Sequence, residues 1–245
     1  RNLRRQHLYG GLKMLWGVRP LEPRATYGLA VDQIKRQIHA GLLLPEERLP
    51  AERQLSDSFG ISRVTLREAL RVLEESEYIH VRRGAQGGPF VSDADRLSTL
   101  ALRRISRAPA ATMRVTEYLT ITLTAAAGFA AERRNPADLK RLREALSLMS
   151  AANDGPLRKQ AETLFLLAVS DASRNPLLAR GVEDALAELF LPYRNFAPSP
   201  LSAVEPYSAL LAAIEGENHA RATTAMEALN QTLWGKIREI TRSAA

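Results

Sequence analysis

The sequence has no cysteine, only four histidines and no uninterrupted run of 18 apolar residues. Without cysteine there is no disulfide framework, no thiolate zinc site and no cysteine nucleophile, which suits a reducing cytoplasm, the expected location. The most apolar stretch, Leu119 to Ala131, is too short and too rich in threonine to span a bilayer, so no membrane association is expected. His7, His39, His80 and His219 are scattered along the chain and form no recognisable site; His80 reads as an ordinary strand residue. No Ser/His/Asp set, carboxylate pair or phosphate-cradling glycine loop can be recognised, and Gly84, Gly87 and Gly88 fall in a hairpin rather than before a helix. An enzyme is therefore not expected. No targeting segment is evident, and with Arg1 rather than methionine in first place the opening residues carry little weight.

What is present is a 245-residue chain, 45% apolar, enough for one large or two smaller packed units. Its net charge of +7 invites a polyanionic partner. The charge is unevenly placed, with +4 on residues 1–23, +1 on 24–92 and +2 on 93–245. Bulk basicity thus says little, and a nucleic-acid reading must rest on where particular arginines point.

Residues 25–92 mix short helical patterns with a strand-like end. Leu29, Ile34, Ile38 and Leu42 are spaced for a helix that Gly41 and Pro45 stop. A second helix is expected from Pro50 as first helical residue, with Glu52 complementing its start, Leu55 and Phe59 buried, and an end at Gly60. Ser62 is placed to cap a third helix over 63–75, whose inward stripe is Leu66, Ala69, Leu70 and Leu73. Two helices joined by such a glycine-containing turn make a helix-turn-helix. Tyr78–Val81 and Gly88–Val91 read as two strands joined by residues 82–87, a wing.

Residues 93–245 read as an all-helical antiparallel bundle, with helices at about 95–106, 112–133, 136–152, 157–173, 176–194, 204–216 and 218–242. Asn135-Pro136 and Asn175-Pro176 pair a good cap with a good first residue, Asp154-Gly155-Pro156 marks another break, and Pro198-Ser199-Pro200 is a loop. The class is mainly α, a winged helix-turn-helix followed by this bundle. Residues 1–24 form an arm whose Arg4, Arg5 and Lys13 alternate with Leu8, Tyr9, Leu12, Leu15 and Trp16; contact with DNA, packing on the domain, or a remnant of an upstream segment all fit.

Arg63, Arg67 and Arg71 recur every four residues and so line the face of the third helix opposite its leucines. A row of this kind is also what a solvated surface shows. Two features favour DNA: the row starts just after the turn, where recognition helices meet bases, and Arg82 and Arg83 lie on the hairpin. Arginine's planar fork bonds guanine O6 and N7 together, discriminating by about 1–3 kcal/mol. Arg63 and Arg67 are the expected base readers, Thr65 meets a thymine methyl or a phosphate, and Arg71 reaches phosphate or stays at the surface. Arg53 is placed to hold the backbone, and Glu68 to orient the arginines.

The segments Leu49-Pro-Ala-Glu-Arg-Gln-Leu-Ser56, Ser62-Arg-Val-Thr-Leu-Arg-Glu-Ala-Leu70, Arg83-Gly84 and Gly88-Pro-Phe-Val91, in that order, resemble the DNA-binding domain of the GntR family of bacterial regulators. The helical remainder is similar to the family's FadR branch, with its FCD type of effector domain, and the resemblance spans about 27–242. It implies a transcriptional regulator, expected to be a repressor, acting as a homodimer on a short palindrome of double-stranded DNA. It also implies DNA contacts from Arg53, Arg63, Thr65 and Arg67, with Arg83 and Gly84 at the wing tip in the minor groove. Where the family usually has glycine before the first wing strand, this chain has Glu77.

Many members of that branch hold a metal with one aspartate and three histidines. By this resemblance Glu162 stands at the aspartate, and Leu166, Tyr207 and Leu229 at the histidines, so no metal or other cofactor is expected. A drier pocket would result, for which Leu119, Leu123, Thr120, Thr124 and Tyr207 are further candidate lining residues. The expected effector is largely apolar, fatty-acyl or steroid-like; the alternative is a filled core kept for dimerisation.

Overall fold

The structure, a computed structural model, describes residues 26–84, 87–196 and 204–243. The arm at 1–24 lies outside the described residues, as do residues 197–203, with the loop expected at Pro198-Ser199-Pro200, and the 85–86 part of the wing loop.

Helix α1 (Thr26–Ala40) lays Val31, Ile34 and Ile38 on the inner stripe of α3 (Arg63–Glu75). Between them α2 (Glu52–Phe59) is closed by Gly60, whose φ of 63° is the left-handed conformation that lets the chain turn into α3. The expectation that α2 begins at Pro50 is corrected. Leu49 N–H donates to Pro89 O at 2.9 Å and Arg48 bridges Phe90, so residues before Ala51 serve as a short extra edge of the wing and the helix starts at Glu52. The wing itself is β1 (Ile79–Arg82) antiparallel to β2 (Gly88–Val91), with Ile79 opposite Val91 and His80 opposite Phe90.

The bundle comprises α4 (Ala94–Arg107), α5 (Pro109–Arg133), α6 (Pro136–Ala151), α7 (Gly155–Ala172), α8 (Pro176–Glu188), α9 (Glu205–Glu215) and α10 (His219–Ser243). Asn135 and Asn175 cap α6 and α8, each followed by proline, and Asp154 caps α7 by accepting from Leu157 N–H. Helices α5 and α10 pack along each other, as do α6 and α7. Helix α5 is longer than expected because Pro109 occupies its first position.

Helix α8 is shorter than expected. It ends at Glu188 rather than about 194 because Pro192 has no N–H to give to the Glu188 carbonyl, four residues back, and its ring would strike that carbonyl. The freed chain, from Leu189 to a 3₁₀ turn at Tyr193–Phe196, stitches two cores together. Phe190 and Tyr193 lie in the core beneath the winged part, whereas Leu189, Leu191 and Phe196 lie in the core of the bundle.

Polar contacts surround this strap. Tyr193 hydroxyl donates to Ile38 O at 3.2 Å, Thr163 hydroxyl to Ala40 O at 2.6 Å, and Gln160 Nε2 to Leu42 O at 3.3 Å. Lys159, buried, donates to Leu191 O at 3.0 Å under the Tyr193 ring, and burial lowers its pKa to about 7. Its stem fits only because residue 41 is glycine, where a Cβ would sit 3.0 Å from Lys159 Cγ. His39 is equally embedded, stacked on Phe190 with ring centroids 4.2 Å apart. Its Nδ1 lies 3.0 Å from Ala187 O and its Nε2 3.0 Å from the Tyr78 hydroxyl. A carbonyl partner requires the proton on Nδ1, so Nε2 accepts from Tyr78.

Candidate nucleic-acid interface and effector site

The exposed face of α3 begins at its cap. Ser62 Oγ accepts from Thr65 N–H at 3.1 Å and shares a 2.8 Å hydrogen bond with the Thr65 hydroxyl. Thr65 is thereby spent on fixing the helix start and is half-buried, which leaves its neighbour as the apolar group on this turn. Val64 is 77% exposed between Arg63 and Thr65. Valine as a residue type suggests burial, and the sequence signal for its exposure is its position off the Leu66, Ala69, Leu70 and Leu73 stripe.

The arginines separate into two groups. Arg67 Nε donates to Glu52 Oε2 at 2.9 Å, which ties α3 to the start of α2. Arg71 is gripped by Glu68, with Nη2 to Oε1 at 2.7 Å, and by Glu75. Glu68 therefore orients Arg71 rather than Arg63 and Arg67. Arg53 lies 4.0 Å from Asp57, and Arg63 and Arg83 form no ion pair among the described residues. Arg83 and Gly84 are exposed at the wing, where Arg82 pairs with Glu46 and lies 4.2 Å over the Phe90 ring. His80 accepts from Arg82 Nε at 3.0 Å, a structural role within the strand. Arg53, Arg63, Arg67, Arg83 and Gly84 thus share solvent-facing ground along α2, α3 and the wing, as a duplex-binding surface needs.

Glu77, at the end of α3, has φ of 64°, the left-handed region in which glycine is at ease. Its carboxylate pairs with Arg96 and lies 3.8 Å from Arg103, and its carbonyl accepts from Ser92 hydroxyl at 2.8 Å.

In the bundle, Glu162 and Tyr207 come together. Among the described residues no group of three His, Cys, Asp or Glu side chains could hold a metal ion. Glu162 has cationic partners: Arg158 Nε donates to Oε1 at 2.9 Å, and Lys236 Nζ is 3.8 Å from Oε2. A carboxylate so engaged between two fixed cations, with leucines and tyrosine at the other three positions, does not fit a transition metal. Burial, and then the Glu162 carboxylate, holds the Tyr207 hydroxyl well above its usual range, and its ring stands edge-on to Phe165 at 5.4 Å.

The other candidate lining residues are placed differently. Leu119, Leu123 and Leu229 pack in the bundle core, with Leu166 half-buried against it, so the leucines fill space that was expected to be open. Thr120 hydroxyl donates back to Thr116 O at 3.0 Å. Thr124 Oγ1 accepts from Asn230 Nδ2 at 3.0 Å, and Asn230 also donates to Thr120 O. Arg158, Lys236 and Asn230 were not foreseen, because each reads as a surface residue until the helices are packed.

Comparison with known proteins follows these two regions. Residues 26–88 match the model of bacterial regulatory proteins of the gntR family, and residues 121–232 match the FCD domain. The putative HTH-type transcriptional regulator RmpR of Mycobacterium gastri is 31% identical over 66% of this chain and 62% of its own length. The HTH-type transcriptional regulator LutR of Bacillus subtilis is 31% identical over 58% of this chain and 65% of its own. The chain thus spans under two thirds of these relatives. Among solved structures, E. coli McbR/YncC shares the fold, with a TM-score of 0.51 at 23% identity, covering 88% of this chain and 98% of that one. No helix among the described residues is long and apolar enough to cross a membrane. The chain belongs to the GntR family of bacterial regulatory proteins, with a winged helix-turn-helix at its front and an FCD domain behind it.

Proposed function

We propose that the chain is a DNA-binding transcriptional repressor, a homodimer in the cytoplasm that reads a short palindromic operator and releases it on binding a small effector, without a metal or other cofactor. The observation that carries the DNA-binding part is the exposed pair Arg63 and Arg67 at a helix start fixed by Ser62, flanked by Arg53 and by the Arg83-Gly84 wing tip. Arg63 and Arg67 read guanines, Val64 adds an apolar contact, and Arg53 and Arg83 hold the backbone.

The effector is largely apolar in body, and the FCD bundle takes it beside the partly buried Tyr207 and Leu166, where the filled core has to open to admit it. The Arg158–Glu162–Lys236 cluster supports metal independence, because it supplies within the chain the positive charge that a metal would bring. An acid headgroup, as on a fatty-acyl chain, suits that charge.

Selection of binding sites from random duplexes with the full chain, followed by mass measurement of the complex, tests the reading. A palindromic motif bound by two protomers is expected, and an apolar acid that raises the melting temperature should weaken the complex. A non-palindromic site bound by one protomer would overturn the homodimer; no sequence preference would overturn the reader.

A further inference from the structure

A cleft of about 460 Å³ opens where the winged part meets the bundle, on the opposite end of α3 from Arg63. That separation is about 20 Å, from the helical rise over 13 residues. Its wall is the last stretch of α4, which brings Arg103, Arg104 and Arg107; Ser76 and Tyr78 face them from the winged part. Leu100 and Val115 give it an apolar floor, and the first turn of α5 closes it without contributing any acidic side chain.

We propose that this cleft binds a small phosphomonoester. The charges lining it are unbalanced. Arg104 is matched by Glu188, which also lines the cleft. Arg103 has only a 3.8 Å share of Glu77, which Arg96 already holds, and Arg107 forms no ion pair among the described residues. Close to two positive charges are left for a ligand to neutralise, which a phosphate dianion does at one point. Arg103 and Arg107 stand four residues apart on one helix face, so their side chains reach the same place. Guanidinium forks bond a tetrahedral oxyanion from several directions, whereas two separated carboxylates would need the arginines spread apart. The sugar or glycerol body then lies on Leu100, Val115 and the Tyr78 ring, in a volume usual for small-ligand sites.

Glu77, in the left-handed region, is held by Arg96 and leaves Arg103 only a 3.8 Å share of its carboxylate. The site also touches the junction between the two cores. Tyr78 is the partner of His39, and Glu188 is the last residue of α8 before the strap. Drawing Arg104 away from Glu188 would loosen that junction and so alter DNA affinity.

Glycerol 3-phosphate and glucose 6-phosphate are titrated into the full chain by calorimetry and thermal melting, with glycerol, glucose and sodium chloride at matched ionic strength as controls. Saturable binding and a rise of about 2–4 °C in melting temperature are expected for at least one phosphorylated probe and for no control. Arg107→Gln, which breaks no ion pair among the described residues, should weaken that binding about tenfold with no change in the melting temperature of the free protein. Absence of saturable binding overturns the proposal, as does a response equal in the controls or undiminished in Arg107→Gln. A variant that loses affinity for random-sequence DNA while keeping the probe would mark the arginines as contacts to a DNA backbone and overturn it too. Only the change in operator affinity on adding the probe rests on the regulator reading, so binding without that change refutes the coupling alone.

Discussion

Arg67 of the recognition helix is held by Glu52 at the start of the preceding helix, Nε to Oε2 at 2.9 Å. On the proposed reading the guanidinium is thereby aimed before DNA arrives, and its charge is masked until a base edge replaces the carboxylate. Glu52→Gln removes both effects. Affinity for random-sequence DNA should rise about fivefold at low salt, from one negative charge lost beside the duplex, while the ratio of operator to random affinity falls. Parallel titrations with operator and scrambled fragments read both quantities.

Glu77→Gly should stabilise the free protein. The left-handed backbone at φ 64° costs a non-glycine residue about 1–2 kcal/mol. The pairs to Arg96 and Arg103 are well exposed and return at most about 1 kcal/mol. A net rise of a few degrees in melting temperature is expected, and a fall would show that the carboxylate's pairs outweigh the strain.

Acid should weaken the junction between the two parts. Burial first, and then the charge of Arg104, hold the His39 pKa down at about 3, against 6.5 in an unfolded chain. Between those values the unfolded state binds a proton that the folded state refuses, so stability is full above about pH 6.5 and declines below it by up to about 1.4 kcal/mol per pH unit. Lys159 acts in the same direction at higher pH: its proton is lost at about 7 when folded and at 10.5 when unfolded, so stability gains as pH rises between them. In His39→Gln the fall in melting temperature from pH 7 to pH 5 should be shallower than in the wild type; equal slopes would contradict a buried neutral imidazole.

The Glu162 cluster gives a separate test. Arg158 and Glu162 side chains are 7% and 12% exposed, so Glu162→Gln leaves a largely buried guanidinium short of its counter-ion, at a cost of about 3 kcal/mol. Chelator treatment, or added zinc, nickel or manganese, should leave the wild-type melting temperature unchanged. A metal-dependent rise that Glu162→Gln abolishes would contradict the assignment.

How much of this was legible beforehand depended on the range of the interactions. The capped start of α3, its leucine stripe and its outward arginines are set within a few residues, by Ser62 and a four-residue period, and local spacing suffices to read them. Asn135-Pro136 and Asn175-Pro176 announce their helices in the same way. The strap reads as helix in the sequence because residues 176–194 carry helical periodicity, and only the missing N–H of Pro192 together with the pull of two cores on Phe190 and Leu191 decides otherwise.

The interior charges were illegible for a different reason. Lys159 and His39 look like ordinary helix-surface residues, and their burial exists only once α7 meets α1 and the strap. Glu162 and Lys236 lie 74 residues apart, and no local pattern announces their meeting. Leucines aligned with a polar site suggest an emptied pocket, but leucine is large enough to fill the space itself, and Leu119, Leu123 and Leu229 do so with the rest of the core.

The most direct test of the central claim is operator binding across a salt series by wild type and by Arg67→Ala. The wild type should bind specifically, with affinity falling steeply as salt rises. Arg67→Ala should abolish specific binding, about 1–3 kcal/mol or more of discrimination being lost with the guanine contact, while its exposed pair with Glu52 contributes so little that the melting temperature barely moves. Operator affinity and salt dependence retained in a folded Arg67→Ala would contradict the account.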